Sequence, residues 1–453
     1  MSRLIIGHTT DTEARIWVRG SQEHPTAFLS VYDNGDEVWS QTRTLEHRHF
    51  LTGVFEVNGL SPSREYRCEV RFARMEDTPP DQRQRFTDTE GRFRTFPPPD
   101  QSGDGLRFLL LSCNLHTLGL VSRPGPAFRR LTALAEDQGC DFALHCGDQI
   151  YADVPLPIPP TAEDYRRKYL DAWDDSGPTR HFLTRLPQYM ILDDHEIRNN
   201  FHNQIDPPDA NVEALMVSSL KVYREFQHIH NPQTFGTLPL YYTFSFGALH
   251  FFVLDVRTER HGKGPETQIV DEVQLDVFKH WLSDHRDDLK FVVSSVPFVG
   301  EILNDDDKWG APPYLHQKHE LLRFLIDERI ERLVFLTGDM HNSYHARLRA
   351  TDGSGNGVDV HELMSSPVNQ LGKTSRGRYR PMGTDHQFTK PVVVNYKARF
   401  GTADDGEEAF YTGHSNAMLI GANARDDGRH DVHWEVYRTK RDRDPEISGS
   451  FAV

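Results

Sequence analysis

Four apolar runs in this chain each end abruptly in a polar cluster: "LLLSCNLH" (Leu109–His116), "FALHCGDQIYAD" (Phe142–Asp153), "MILDDHEIRNN" (Met190–Asn200) and "VFLTGDMHNSYH" (Val334–His345). Each run reads as a buried strand. In open α/β sheets the loops beyond the carboxyl ends of the strands converge on one crevice, so clusters far apart in sequence become neighbours. Taken singly, each residue has a plain structural reading. Asp148 can cap a turn, Tyr151 can pack with its hydroxyl on a backbone group, Cys113 can be a small buried hydrophobe, and His341 can be a polar loop residue. Asp193 and Asp194 are adjacent like charges that suit a solvated turn unless cations compensate them. Taken together in one strand-end context, the four clusters are expected to form a shared metal site.

The segments around them alternate strand and helix. "RFLLLSC" reads as a strand, "AFRRLTALAEDQG" as an amphipathic helix, and "DFALHCGD" and "PQYMILDDHE" as further strands. "YYTFSF" and "ALHFFVLDVR" suggest a hairpin through Gly247, "KFVVSSVPF", "LLRFLIDERI" and "RLVFLTGDMH" continue the alternation, and "AMLIGANA" with "DVHWEVYRT" reads as a closing strand pair. This is α/β architecture with mixed α+β character. Upstream, "EARIWVRG", "AFLSVYDN" and "EYRCEVRF" carry the two-residue period of strands. In "GLSPSREYRCEV", Leu60, Pro62 and Tyr66 have a spacing that resembles the tyrosine corner of fibronectin type III and immunoglobulin-like sandwiches. The expected organisation is an all-β sandwich over 1–95, a proline-rich linker over 96–105 ("FPPPDQSGDG"), and a catalytic domain over 106–453.

Charge narrows the partners. With 67 acidic against 51 basic side chains the net charge is −16, which argues against broad binding to nucleic acid or anionic membranes. Four cysteines in 453 residues do not make a disulfide framework and read as reduced thiols. With no apolar leader at the N-terminus and no run of about 18 apolar residues, the expectation is a cytoplasmic protein without a membrane span, unless a removed leader once preceded it. Oligomeric state is left open.

The order "SCN", "GDQIYAD", "DDHEIRNN", "GDMH" resembles the alkaline phosphatase D (PhoD-like) family of the calcineurin-like metallophosphoesterase superfamily. "GDQIYAD" also resembles the glycine, aspartate and tyrosine spacing of purple acid phosphatases, and "SSVPF" and "DKWGAPPYLHQKHELLRFL" extend the likeness over almost the whole chain. The resemblance implies a four-layer metallophosphoesterase β-sandwich flanked by helices, and a phosphoester hydrolase with a dinuclear centre. It implies that Cys113, Asp148, Tyr151 and His341 bind one ion, ferric iron, and that Asp148, Asp194 and Asp339 bind a second, calcium, with magnesium or manganese as alternatives. His195 matches the histidine that contacts phosphate and assists the leaving group. Asn200 and Asp193 are weaker candidates as ligands or supports of ligands, Glu196 is expected to orient its neighbours, and His116 has no matching role. The substrate would be a phosphomonoester or phosphodiester.

Other motifs fail on spacing: "QLGKTS" lacks the upstream glycine of a phosphate-binding loop, "GSGNG" does not place serine on a nucleophile elbow, and there is no HExxH. "HIH" (His228–His230) is expected inside a helix, where alternate residues do not share a face. The segment 154–187 could form a wall or lid over the site, or its aromatics could be ordinary packing. The competing functions are a phosphodiesterase or phospholipase on the same site, and a non-catalytic binding protein that uses the sandwich.

Overall fold

The computed structural model describes residues 3–116, 124–155, 161–174, 177–203, 210–263, 267–352, 354–370, 372–380, 386–387, 394–401, 409–440 and 444–453. Seven strands come first: β1 (Leu4–Thr9), β2 (Ala14–Arg19), β3 (Thr26–Asp33), β4 (Asp36–Thr44), β5 (Thr52–Val57), β6 (Glu65–Ala73) and β7 (Glu90–Arg94). They pair into two sheets, β1-β2-β5 and β4-β3-β6-β7, whose alternate residues, among them Ile6, Ile16, Leu29, Val70 and Phe93, close one core. The hydroxyl of Tyr66 accepts the backbone N–H of Ser61 at 2.8 Å, and its ring stacks on Phe93. That is the tyrosine corner anticipated from the spacing.

Phe96 opens the proline-rich stretch and is 2% exposed, packed against Phe142, Tyr189 and Phe246. Beyond it come β8 (Leu106–Leu111), α1 (Gly125–Gln138), β9 (Phe142–Cys146), α2 (Ala162–Trp173), α3 (Gly177–Leu183), β10 (Gln188–Ile191) and α4 (Ala210–Phe226). The chain continues through β11 (Tyr242–Phe246), β12 (Leu249–Val253), α5 (Glu272–Asp284), β13 (Lys290–Ser294), α6 (Leu315–Asp327) and β14 (Leu333–Thr337). It ends with β15 (Ser343–Thr351), β16 (Gly357–Ser365), β17 (His386–Gln387), β18 (Asn395–Phe400), β19 (Phe410–Tyr411), β20 (Asn416–Ala424), β21 (His430–Arg438) and β22 (Ile447–Ala452).

Two large mixed sheets result, ordered β10-β9-β8-β20-β21-β22 and β11-β12-β13-β14-β16-β15-β18-β17, with β19 on β15. β8, β9 and β10 run parallel in the first sheet, and β12, β13, β14 and β16 in the second. Strands buried on both faces need continuous apolar sequence, and β8 shows why. Phe108 and Leu110 face a core shared with Phe251, Phe291 and Leu336 of the other sheet, while Leu109 and Leu111 face Phe128 and Leu131 of α1. On the far side, α5 and α6 cover Phe252 and Phe335 through Phe278, Leu321 and Leu325. The layers are helix, sheet, sheet, helix. Among the described residues no helix is long and apolar enough to cross a membrane.

One local expectation changes, and one open alternative is decided. α4 ends at Phe226, and His228–His230 form a 3-10 turn rather than continuing the helix. Pro232 disfavours helical backbone at Asn231, whose side chain instead accepts Met190 N–H at 3.0 Å and donates to Met190 C=O at 2.6 Å. In the segment 154–187, of which 156–160 and 175–176 lie outside the described residues, the α2 aromatics do not form a lid. Tyr165, Tyr169 and Trp173 are core residues, packed with Phe226 of α4 and Trp17 of the sandwich.

Candidate metal centre

The carboxyl ends of β8, β9, β10 and β14 lead directly to Cys113, Asp148, Asp193–Asp194 and Asp339–His341. The loops are tied to one another before any ligand is considered. Cys113 N–H donates to Gly147 C=O at 3.3 Å, and Asn114 N–H to Asp148 C=O at 2.8 Å. Gly147 has φ +84, and a Cβ there would lie 2.3 Å from Asp193 Cβ, so the turn after β9 admits only glycine against the β10 loop. Cys113, Asp148, Asp339 and His341 also have left-handed backbone, with φ of 58, 57, 72 and 53. Four of the six expected ligands thus occupy a region that non-glycine residues avoid, a cost of order 1–3 kcal/mol each that concentrates at functional sites.

Asp148 stands at the middle. Its Oδ2 lies 3.3 Å from Cys113 Sγ and 3.4 Å from the Tyr151 hydroxyl, which in turn lies 3.4 Å from His341 Nε2. Asp148, Asp193, Asp194 and Asp339 form a second group, each offering a carboxylate oxygen within 4.8 Å of the others. The structure therefore brings together all six expected ligands. Asp193 and Asp194 are fully buried, so the solvated-turn reading fails. Asn200 is exposed, and it is its backbone N–H, not its side chain, that reaches Asp194 Oδ2.

The electrostatics call for cations. Burial pushes the Asp148 carboxyl well above the usual carboxylate range, reinforced by Asp194, Asp193 and Glu196 against the pull of His195. Burial likewise lifts Asp339 to about 7, and raises the Cys113 thiol and the Tyr151 phenol, each worsened by the neighbouring acids. Burial pulls His341 down to about 4, leaving a neutral imidazole, the form that can bind a metal ion. Asp193 Oδ2 and Asp194 Oδ1 are buried with no hydrogen-bond partner among the described residues. Buried carboxylates gathered this closely are what a bound cation would satisfy, and the donor set fits such ions: thiol, phenol, imidazole and carboxylate on one side of Asp148, carboxylates on the other.

Several side chains organise the centre. Glu196 accepts the backbone N–H groups of Asp148, Gln149 and Asp193 at 2.9, 2.6 and 2.9 Å, clamping the β9 and β10 loops together as anticipated. His195 donates its backbone N–H to Asp148 Oδ1, stacks on Tyr151 with ring centroids 4.0 Å apart, and holds Asp153 Oδ1 at 2.6 Å through Nδ1. His116 is buried, and among the described residues neither of its ring nitrogens has a hydrogen-bond partner.

Sequence reasoning missed a buried charge network behind the carboxylates. Arg257 pairs with Asp193 and, at 2.7 Å, with Asp307; Arg260 also pairs with Asp307, and Lys308 lies 2.7 Å from Asp307 and 2.5 Å from Asp339. Ser295 Oγ donates to Asp193 at 2.7 Å. The signal was present: "FFVLDVRTER" and "FVVSSVPF" are also apolar runs that end in polar residues, and the same strand-end rule applied to β12 and β13 leads to Arg257, Arg260 and Ser295.

Comparison with known proteins bears on the family and the fold. The sequence model of the family described as PhoD-like phosphatase matches residues 108–409. Alkaline phosphatase D of Bacillus subtilis (strain 168) is 22% identical over 398 residues, which span 74% of this chain and 64% of that protein's length. A solved structure described as that of PhoD superposes with a TM-score of 0.70 at 16% identity, covering 100% of this chain and 88% of the other, and shows the shared fold.

Proposed function

We propose, proceeding from the fact that this chain belongs to the PhoD-like phosphatase family, that its buried centre is a dinuclear site that hydrolyses phosphate monoesters or diesters. The observation that carries the reading is Asp148, one buried carboxylate with a thiol, a phenol and an imidazole gathered on one side and three further carboxylates on the other. Cys113, Asp148, Tyr151 and His341 would hold ferric iron, since a buried phenol ionises at neutral pH only beside a strongly Lewis-acidic ion. Asp148, Asp194 and Asp339 would hold calcium, or magnesium or manganese, as an oxygen-only shell suits hard cations. When bound, such a pair screens the phosphate charge and makes a water acidic enough to serve as nucleophile near neutral pH.

The remaining roles belong to the chain's own groups. His195 hydrogen-bonds the phosphate and delivers a proton to the leaving oxygen. Asp153 keeps its imidazole oriented and protonated, and Glu196 fixes the two loops that carry Asp148 and Asp194.

The test is hydrolysis of chromogenic monoester and diester substrates by Asp148→Asn. The expected loss is at least about 1,000-fold in kcat/KM, equivalent to about 4 kcal/mol of transition-state stabilisation. Unchanged turnover would defeat the mechanism and favour a binding role. Elemental analysis with a visible spectrum checks the iron: a tyrosinate-to-iron band should vanish in Tyr151→Phe, and a colourless, iron-free, fully active protein would replace iron with another ion.

A further inference from the structure

At the opposite end of the second sheet, where its parallel strands begin, two imidazoles and a carboxylate meet away from the centre described above. His250 lies at the start of β12, His285 caps the C-terminus of α5, and Asp288 lies in the loop that enters β13. His250 Nε2 and His285 Nδ1 approach the same oxygen, Asp288 Oδ2, at 3.5 and 3.3 Å, and the two rings lie nearly face to face with centroids 3.7 Å apart. One atom from each of the three lies within 4.8 Å of the others.

We infer that His250, His285 and Asp288 form a second metal site, suited to a zinc-like divalent ion with solvent at its fourth position. The spacing carries the argument first. Ligand atoms about 2.0–2.1 Å from a tetrahedral ion lie roughly 3.3 Å from each other, close to the 3.3 and 3.5 Å that separate His285 Nδ1 and His250 Nε2 from Asp288 Oδ2, and a turn of the stacked rings would bring both in-plane lone pairs onto one ion. The second support is orientation. His250 Nδ1 is engaged at 2.9 Å by Ser245 Oγ, which leaves Nε2 as the atom facing Asp288. Metal-bound histidines characteristically have their other ring nitrogen held in this way.

The third support is a loop already set in place. Lys290, at the start of β13, donates through its ammonium to the carbonyls of His285, Arg286 and Asp288 at 2.7, 2.9 and 2.6 Å. Lys290 thus anchors the loop through its carbonyls rather than through the Asp288 carboxylate, and the C-terminal end of α5 adds negative potential that favours a cation. Histidine nitrogens with a single carboxylate suit zinc better than calcium or magnesium. Asp288 is 43% exposed on its side chain, so a water completes the shell from that side. The bound ion would tie the start of β12, the end of α5 and the β13 loop into one unit.

The experiment titrates the protein as purified with Zn2+, reading bound zinc by equilibrium dialysis and thermal stability in parallel. Wild type is expected to bind one zinc per chain more than His250→Gln or His285→Gln, and to gain thermal stability on zinc that those variants lack. Ser245→Ala, which leaves all three donors in place, is expected to weaken that binding by about 10- to 100-fold. Phosphoesterase activity in zinc-free buffer should be unchanged in all three, which separates this site from the Asp148 centre. Equal zinc stoichiometry in wild type and in the two glutamine variants overturns the inference. Should a glutamine variant fail to fold, Ser245→Ala decides alone: unaltered zinc affinity there also overturns it.

Discussion

His195 is pulled in two directions. Burial on its own would lower its pKa, but Asp194, Asp148 and Asp153 outweigh it and lift the imidazole to about 10. An imidazolium is the form that can donate a proton to a leaving oxygen, so activity that depends on it falls as pH rises through its pKa. Asp153→Asn removes one of the anions that favour the charged form. The alkaline limb of kcat/KM should therefore move to lower pH, by about one unit or more, and superimposable pH profiles would show that Asp153 does not tune this proton. Gly147→Ala tests the loop contact. With φ at +84 and no room beside Asp193, the variant should lose more than about 1 kcal/mol of stability to urea and most of its activity. At this scale the sequence was informative wherever an expected ligand directly follows an apolar strand. The role of Asp153 was not legible, although the residue stands in the "GDQIYAD" motif, because its partner His195 lies 42 positions away and only the folded loops bring them together.

At the scale of elements, strands buried on both faces announced themselves by uninterrupted apolar runs, and their ends located the centre. Less legible was everything that depends on which face meets which neighbour. The α2 aromatics have a helical period that fits a lid and a core equally well, and what settles them is the sandwich packed alongside. Trp17 of β2 shows how firm that packing is: it is fully buried, its indole N–H donates to Glu225 C=O in α4 at 2.8 Å, and its ring lies 5.9 Å from Phe226. Trp17→Ala leaves a cavity and an unpaired carbonyl in one step, and should cost about 3–5 kcal/mol by urea unfolding. A change below about 1 kcal/mol would mean that the sandwich is only loosely attached. The charge network of Arg257, Asp193, Asp307 and Lys308 joins the loops after β12, β10 and β13 with that of β14 in the same way, but through ion pairs that no periodicity encodes.

For the whole molecule, the number of buried neutral histidines makes stability a function of pH. Burial pulls His145 and His228 down to about 4, His230 to about 3, and His345 and His361 to about 3 and 4. His345 and His361 are hydrogen-bonded to each other at 3.0 Å, so that both cannot be charged without repulsion, and among the described residues His228 and His230 have no hydrogen-bond partner for either ring nitrogen. In the unfolded chain each titrates near 6.5. Between about pH 4 and 6.5 the unfolded state therefore binds more protons than the folded one, and stability falls as pH falls through that window. Each histidine contributes about 1.4 kcal/mol per pH unit once the pH is well below 6.5, so five acting independently would approach the whole stability of an ordinary domain within one to two units. Buried carboxyls oppose this in part: burial raises Asp141 to about 6 and Asp339 and Glu196 to about 7, so the folded state gains those protons first and each recovers about one histidine's worth. Urea midpoints measured at pH 7.5, 6.5, 5.5 and 5.0 should be level at first and then drop steeply, and His345→Gln should shallow the drop by about one proton. A flat profile down to pH 5 would mean that these imidazoles reach water or partners in the folded protein, and that the packing between the sandwich, the 3-10 turn at His228–His230 and the sheets is looser than their burial implies.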